Sequence, residues 1–163
     1  MASAIKSNAL SWLGVSALLI ALDQWTKSLA VAHLIYQQPV SVVPGFWNWT
    51  LTHNTGAAFS LFAGAGGWQH GFFIALAFLI SAGLAVTLSK TARSDWRNAL
   101  PFALVIAGAL GNVVDRLRFG YVVDFIQWYW KDFYWPVFNV ADSCIVVGAI
   151  LIAAFSIFTG KRG

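Results

Sequence analysis

The segment Phe138-Asn-Val-Ala-Asp142 leads into a long apolar run, VADSCIVVGAILIAAFSIF, over residues 140–158. About 20 apolar residues are enough to cross the hydrocarbon core of a bilayer. The run therefore predicts a membrane-spanning helix over residues 139–158. An ionisable side chain at the end of such a helix is energetically costly, which makes Asp142 a candidate functional residue.

The composition of the whole chain agrees with a membrane protein. Of its 163 residues, 59% are hydrophobic and only 10% are charged, and the mean hydropathy is +0.70. A soluble domain of this size does not need so much apolar surface. We therefore expect residues 1–163 to form one integral-membrane domain. The basic residues are scattered at the ends of apolar runs, so the net charge of +4 does not indicate a nucleic-acid partner. The single cysteine, Cys144, excludes a disulfide framework and is expected to pack as a small hydrophobic residue.

Three further spans are predicted, over residues 9–32, 68–88 and 99–114. The first contains Asp23 and Lys27, which are four residues apart and so share one helix face, where they can pair. An ion pair at that depth must face the protein. The alternative is a cleaved signal peptide that ends near Ala32.

The basic residues predict the orientation of the spans. Six of them lie in the two chain ends and the 89–98 connection, against three on the other side. The positive-inside rule then places both termini in the cytoplasm. Most tryptophans and most polar candidate residues fall on the outer side, where they would meet at one membrane depth.

Residues 39–52 are rich in β-branched and aromatic residues around Pro44-Gly45. This pattern predicts short strands joined by a turn, in a small sheet at the membrane surface. The tryptophan-rich segment 126–135 is expected to be a mobile loop that acts as a lid over the site.

Asp124 and Asp142 are the principal catalytic candidates. Each lies among apolar neighbours, in a chain whose six acidic residues are all aspartates. Two carboxyl groups held close together cannot easily both ionise, so they share a proton and can activate a water molecule. The alternative is that each aspartate pairs with a basic residue or caps a helix.

Other polar residues surround these two in the sequence. Asn112, Asp115 and Arg116 share a helix face at the outer end of the third span. Arg116 is expected either to hold a substrate carbonyl group or to pair with Asp115 or Asp23. Asn139 is placed to cap the fourth helix.

Five blocks together resemble the bacterial lipoprotein signal peptidases, the type II signal peptidases of the aspartic class. The blocks occur in the expected order over nearly the whole chain. They are Asp23 with Lys27, Asn54-Thr-Gly-Ala-Ala-Phe-Ser60, Gly111-Asn-Val-Val-Asp-Arg116, Val122-Val-Asp-Phe125 and Phe138-Asn-Val-Ala-Asp142.

The resemblance implies an all-α membrane fold, a bundle of four transmembrane helices, with a small outer β-sheet that forms a cradle. It implies an endopeptidase that cuts prolipoproteins just before a diacylglyceryl-modified cysteine, with Asp124 and Asp142 as the catalytic pair. Residues that bind substrate or the inhibitor globomycin, or that support the site, would be Asp23, Lys27, Asn54, Gly56, Asn112, Asp115, Arg116 and Asn139.

The resemblance also implies a location in the bacterial cytoplasmic membrane, with the active site facing outward. Membrane lipids are then expected partners, and a monomer is expected. No metal or organic cofactor is expected.

Two other functional classes remain open at this point. A small transporter or channel subunit would also carry intramembrane Asp, Arg and Lys residues, although no inverted repeat is visible. A scaffold protein would use the polar residues for helix packing. The aspartate pair discriminates among these, because a peptidase needs both carboxyl groups.

Overall fold

The computed structural model describes residues 7–56 and 67–159. Helix α1 (Leu13–His33) follows a short 3₁₀ turn at Ala9–Trp12, and α2 spans Trp68–Lys90. Helix α3 spans Trp96–Phe119 and α4 spans Val140–Thr159. All four helices are long and apolar enough to cross a membrane. Four apolar helices are thus found where the four spans are predicted.

Helix α3 extends beyond its predicted bounds of 99–114 at both ends. The charged pair Asp115-Arg116 indicated an end to the span, but both side chains have partners inside the protein, so the helix continues past them. It ends at Gly120, whose φ of +79° is the left-handed conformation that commonly terminates helices.

Helix α3 is also the central helix, since it contacts α1, α2 and α4. More than half of its spanning window is buried (56%), against 17% or less for the other three helices. Small residues allow its close approach to α4. A Cβ atom added at Gly108 would overlap the backbone carbonyl oxygen of Ala141, and one added at Gly148 would lie 2.9 Å from that of Pro101.

A four-stranded antiparallel sheet lies at one end of the helices, in the order β1 (Val40–Val43), β2 (Trp47–Asn54), β3 (Val122–Trp130) and β4 (Phe133–Tyr134). The strands predicted within residues 39–52 are confirmed.

The prediction that residues 126–135 form a mobile loop is wrong. Residues 126–130 continue β3, and a two-residue turn, in which Lys131 has a φ of +53°, leads into β4. Aromatic residues favour this arrangement, because cross-strand ring pairs stabilise a hairpin. The rings of Tyr129 and Tyr134 stack across it with centroids 5.4 Å apart.

Backbone hydrogen bonds fix the sheet to the start of α4. The amide of Ile126 donates to the carbonyl oxygen of Phe138 at 2.8 Å, and the amide of Phe138 donates back at 2.9 Å. Ala30 of α1 packs with Val123 and Phe125 beneath the sheet. Asp124 on β3 and Asp142 on α4 are thereby held at the same end of the bundle.

The contact at Gly108 yields a test of the α3–α4 packing. We expect Gly108→Ala to destabilise the protein by about 1–3 kcal/mol, the usual cost of overpacking, because the backbone that it meets cannot rotate away. Thermal unfolding in detergent measures the effect. Gly83→Ala on α2 is the control, since a Cβ atom there meets nothing within 4 Å. An equal melting temperature for the two variants would contradict the packing.

Candidate active site

One hydrogen-bonded network joins all the residues that the sequence marked as site candidates. It runs from α1 through α3 to the sheet and to the start of α4. In the order of their contacts, the members are Asp23, Lys27, Asp115, Asn112, Asp142, Asn139, Asp124, Asn54, Gly56 and Arg116.

Asn139 connects the two central aspartates. It is completely buried, and its Nδ2 donates to Asp124 Oδ1 at 2.6 Å. Its Oδ1 accepts the backbone amide of Asp142 at 2.8 Å, and its own amide donates to Asp142 Oδ2 at 3.3 Å. This reciprocal pattern is that of a capping box. The prediction that Asn139 caps α4 is confirmed, and one side chain contacts both aspartates.

The two carboxyl groups differ in their surroundings. Asp124 is buried, with 2% of its surface exposed, whereas Asp142 is half-buried and accepts a hydrogen bond from Asn112 Nδ2 at 2.8 Å. Within the described ranges, neither forms a salt bridge with a basic side chain. The simple ion-pair alternative for these residues is therefore not observed there.

The environment of Asp124 favours its protonated form. Burial, and then repulsion from the carboxylate of Asp142, raise the pKa of Asp124 to about 8. The hydrogen bonds from Asn139 and Asn54 and the charge of Lys27 act in the opposite direction without cancelling this shift. The pair therefore retains a proton at neutral pH.

Lys27 forms the centre of a buried ion cluster with Asp23 and Asp115. Its Nζ lies 2.8 Å from Asp23 Oδ2 and 2.9 Å from Asp115 Oδ2, and it donates to Asn112 Oδ1 at 3.0 Å. All three N–H groups of the ammonium thus have acceptors. The predicted pairing of Asp23 with Lys27 is observed, and Lys27, rather than Arg116, is the ion-pair partner of Asp115 in the described part of the chain.

The same two carboxylates also hold the backbone beside the aspartate pair. Asp23 Oδ1 accepts the amide of Ala141 at 2.9 Å, and Asp115 Oδ2 accepts the amide of Val123 at 3.0 Å. Ala141 immediately precedes Asp142, and Val123 immediately precedes Asp124. The ion cluster therefore positions both aspartates through their own backbone.

Gln24 is a member of the site that the sequence analysis missed. Its Nε2 donates to Asp115 Oδ1 at 2.7 Å, and lies 3.2 Å from both Asp23 Oδ2 and the carbonyl oxygen of Gly111. The sequence does contain a signal for this residue, because Gln24 places a polar amide inside an apolar span, directly after Asp23.

Arg116 lies at the edge of the site with unused hydrogen-bonding capacity. Its Nη2 donates to the carbonyl oxygen of Gly56 at 2.9 Å, and its guanidinium group lies 5.2 Å from the ring centroid of Phe73. Its Nε is buried, and no partner for it is found in residues 7–56 and 67–159. Gly56 in turn donates to Asn54 Oδ1 at 3.0 Å, which fixes the turn that Arg116 contacts.

Two adjoining cavities meet at the aspartate pair. The larger cavity, of about 490 Å³, lies among α2, α3 and α4 and is mostly apolar, with Asn112, Arg116 and Asp142 at its polar end. The smaller cavity, of about 380 Å³, contains Asp124 in its wall. Asn54, Pro136 and Val137 line both. Each carboxyl group therefore faces a different cavity across a shared wall.

The described residues contain no cluster of three or more His, Cys, Asp or Glu side chains arranged to hold a metal ion. Cys144 is buried, as expected for a small hydrophobic residue. The chemistry that this site offers is proton transfer between carboxyl groups, and hydrogen bonding from the Asn and Arg side chains.

The ion cluster predicts a large effect of Lys27→Met. Removing the ammonium leaves the carboxylates of Asp23 and Asp115 buried without their counter-charge, which typically costs about 3–5 kcal/mol. We expect a strongly lowered melting temperature in detergent. Lys90→Met, at an exposed helix end, should leave it nearly unchanged. A Lys27→Met variant as stable as its parent would show that the cluster is not needed for folding.

The raised pKa of Asp124 predicts a pH-dependent stability. Between about pH 4 and pH 8, the folded protein binds a proton that the unfolded chain does not, so stability falls as pH rises through this window. Asp124→Asn removes the titrating group. We therefore expect the melting temperature of the parent to fall more steeply than that of the variant between about pH 5 and pH 8. Parallel curves would contradict the assignment.

Comparison with known proteins agrees with this architecture. The signal peptidase (SPase) II family matches residues 15–158. A lipoprotein signal peptidase of Xanthomonas campestris pv. campestris (strain 8004) is 60% identical over 155 residues, covering 95% of this chain and 93% of that protein. One of Xylella fastidiosa (strain M12) is 56% identical, with the same coverage.

Two solved bacterial membrane enzymes, both determined by the in meso method, share the fold. One, at 2.3 Å resolution, has a TM-score of 0.80 and 30% identity, covering 94% of this chain and 92% of that one. The other, at 1.9 Å resolution, has a TM-score of 0.75 and 29% identity, covering 93% and 96%. The chain is thus a multi-pass membrane peptidase that belongs to the signal peptidase II family.

Proposed function

We propose that this protein cleaves the signal peptide from diacylglyceryl-modified prolipoproteins, just before the lipidated cysteine, with Asp124 and Asp142 as its catalytic residues. The observation that carries the proposal is the pair of carboxyl groups held by Asn139 at the polar end of an apolar cavity within the helices. Paired carboxyl groups with one shared proton are suited to activating water for peptide hydrolysis.

In this mechanism the ionised aspartate takes a proton from water as the water oxygen attacks the scissile carbonyl carbon. The protonated aspartate donates a hydrogen bond to the developing oxyanion. The carbon–nitrogen bond then breaks, and a proton passes to the leaving amine of the cysteine. The signal peptide leaves with a new carboxyl group. The raised pKa of Asp124 favours it as the initial proton holder, although the pair titrates as a unit.

Arg116 and Asn54 would hold the substrate backbone. Arg116 faces the larger cavity and has a buried Nε without a partner in the described residues, so it can donate to a substrate carbonyl group. Asn54 lines both cavities, at the point where the scissile bond would lie. Orientation of this kind can contribute several kcal/mol to lowering a barrier.

The larger cavity would receive the apolar part of the substrate. Phe73, Leu76 and Ile80 of α2 face it from one side, and Ile145 and Val146 of α4 from the other. An apolar signal segment could reach this surface from within the bilayer, while the acyl chains stay among the membrane lipids. Globomycin would compete for the same space.

We further propose that the protein acts as a monomeric, single-domain enzyme of the bacterial cytoplasmic membrane. The sheet and active site would face outward and both termini would lie in the cytoplasm. Support comes from the basic residues Lys90, Arg93 and Arg97, which lie at the end of the bundle opposite the sheet. The positive-inside rule assigns such an end to the cytoplasm. The clustering of polar groups at one end also disfavours a transport path across the membrane.

Cleavage of a diacylglyceryl-modified prolipoprotein, followed by gel shift, tests the catalytic pair. We expect Asp124→Asn and Asp142→Asn each to lose cleavage by at least about 10³-fold while remaining folded, because each removes a group needed for proton transfer. Asp95→Asn, at the opposite end of α3, should keep parental activity. Activity surviving in either folded variant would remove that aspartate from the mechanism. A folded parent that fails to cleave would refute the proposed function.

A further inference from the structure

The smaller cavity is not used by the mechanism above, although Asp124 lies in its wall. Its surface differs from that of the larger cavity, because it is lined mainly by polar side chains, including Gln37, Thr52, His53 and Asn54. The larger cavity instead presents aliphatic and aromatic side chains from three helices. We infer that the smaller cavity binds the polar residues that follow the lipidated cysteine, and that Gln37 influences which residues are accepted there. This inference rests on the proposed function.

The arrangement of the two cavities supports placing the residues after the cysteine in the smaller cavity. A peptide bond attacked between Asp124 and Asp142 lies at the shared wall of Asn54, Pro136 and Val137. The chain on one side of that bond must then enter the larger cavity, and the chain on the other side must enter the smaller one. Signal peptides are apolar before their cleavage site. The apolar segment matches the larger cavity, which leaves the polar one for the start of the mature protein.

The smaller cavity has a rigid wall, which a binding site requires. The ring of His53 is held between two tyrosines. It stacks on Tyr121 with ring centroids 4.0 Å apart, and its centroid lies 4.7 Å from that of Tyr36. Burial lowers the pKa of His53, which favours the neutral form of its ring. Burial also favours the protonated form of Asp124, so the wall carries little net charge. It is therefore suited to uncharged polar residues.

Gln37 lies in this wall, and its exposed side chain makes one long hydrogen bond, from Nε2 to the hydroxyl oxygen of Tyr36 at 3.4 Å. Its backbone amide donates to the carbonyl oxygen of Leu51 at 2.9 Å, which fixes the segment before β1 against β2. Its φ of +59° is unusual for a residue other than glycine, but it strains Gln, Glu and Lys alike. The side chain is exposed, so a charge there needs no buried partner.

Charge substitutions at Gln37 test the inference. The substrates are three diacylglyceryl-modified prolipoproteins in neutral detergent, with Ser, Asp or Lys at both positions after the cysteine. The enzymes are the parent, Gln37→Lys and Gln37→Glu. The measured quantity is the ratio of kcat/KM for the Asp substrate to that for the Lys substrate. Because this ratio is taken within each variant, the amount of folded enzyme cancels.

We expect Gln37→Lys to raise the ratio and Gln37→Glu to lower it, each by about threefold or more. A change of this size corresponds to the interaction free energy of an exposed charge pair. Gln38→Lys and Gln38→Glu are matched controls, since Gln38 is the exposed neighbour and does not line the cavity. These controls should leave the ratio near its parental value.

Three other outcomes would each overturn the inference. Unchanged ratios in the Gln37 variants, with a parent that cleaves the Ser substrate, would refute the binding role and leave the proposed function intact; the cavity would then serve as a route for water. Equal shifts in the Gln37 and Gln38 variants would reduce the effect to general surface charge. A folded parent that cleaves none of the substrates would refute the proposed function as well.

Discussion

The arrangement of the whole molecule depends on one buried ammonium group. Lys27 is 3% exposed and is shared by the carboxylates of Asp23 and Asp115. Burying an isolated charge would cost far more than a folded protein of this size can tolerate, so the three groups are stable only together. Their enclosure requires α3 to pass very close to α1. A Cβ atom at Gly111 would lie 3.0 Å from Asp23 Oδ2, which explains why a glycine occupies that position.

This cluster stabilises the fold, whereas the two aspartates beside it repel each other when both are ionised. Each carboxylate of the cluster has a counter-charge and a backbone amide to hold. Asp124 has only neutral amide donors, and its burial, followed by repulsion from the carboxyl group of Asp142, raises its pKa. The two sets are linked by Asn112, which accepts from Lys27 and donates to Asp142. The ion cluster and the aspartate pair are therefore neighbouring groups within one hydrogen-bonded network.

Much of this arrangement follows from local sequence patterns. Apolar length predicts the four spans, and β-branched and aromatic residues predict β1 and β2. Polar residues inside apolar runs mark most of the site, because the bilayer makes each of them costly. The pairing of Lys27 with Asp115 could not be predicted in this way, since it joins residues far apart in the chain. The strand character of residues 126–134 was obscured by tryptophans that indicate either a strand or an interfacial loop. The two cavities depend on packing between elements, which no local pattern encodes.

The spacing of Asp23 and Lys27 has a consequence for biosynthesis. The two residues are four apart on α1, so their ion pair at 2.8 Å lies within a single helix. The first span can therefore enter the bilayer as a neutral unit while the rest of the chain is still being translated. Asp115 arrives only with α3, and the amide of Ala141 only with α4. The hydrogen-bonded network is thus completed only once the start of α4 has joined the other helices, and before that stage Asp124 has neither Asn139 nor Asp142 beside it.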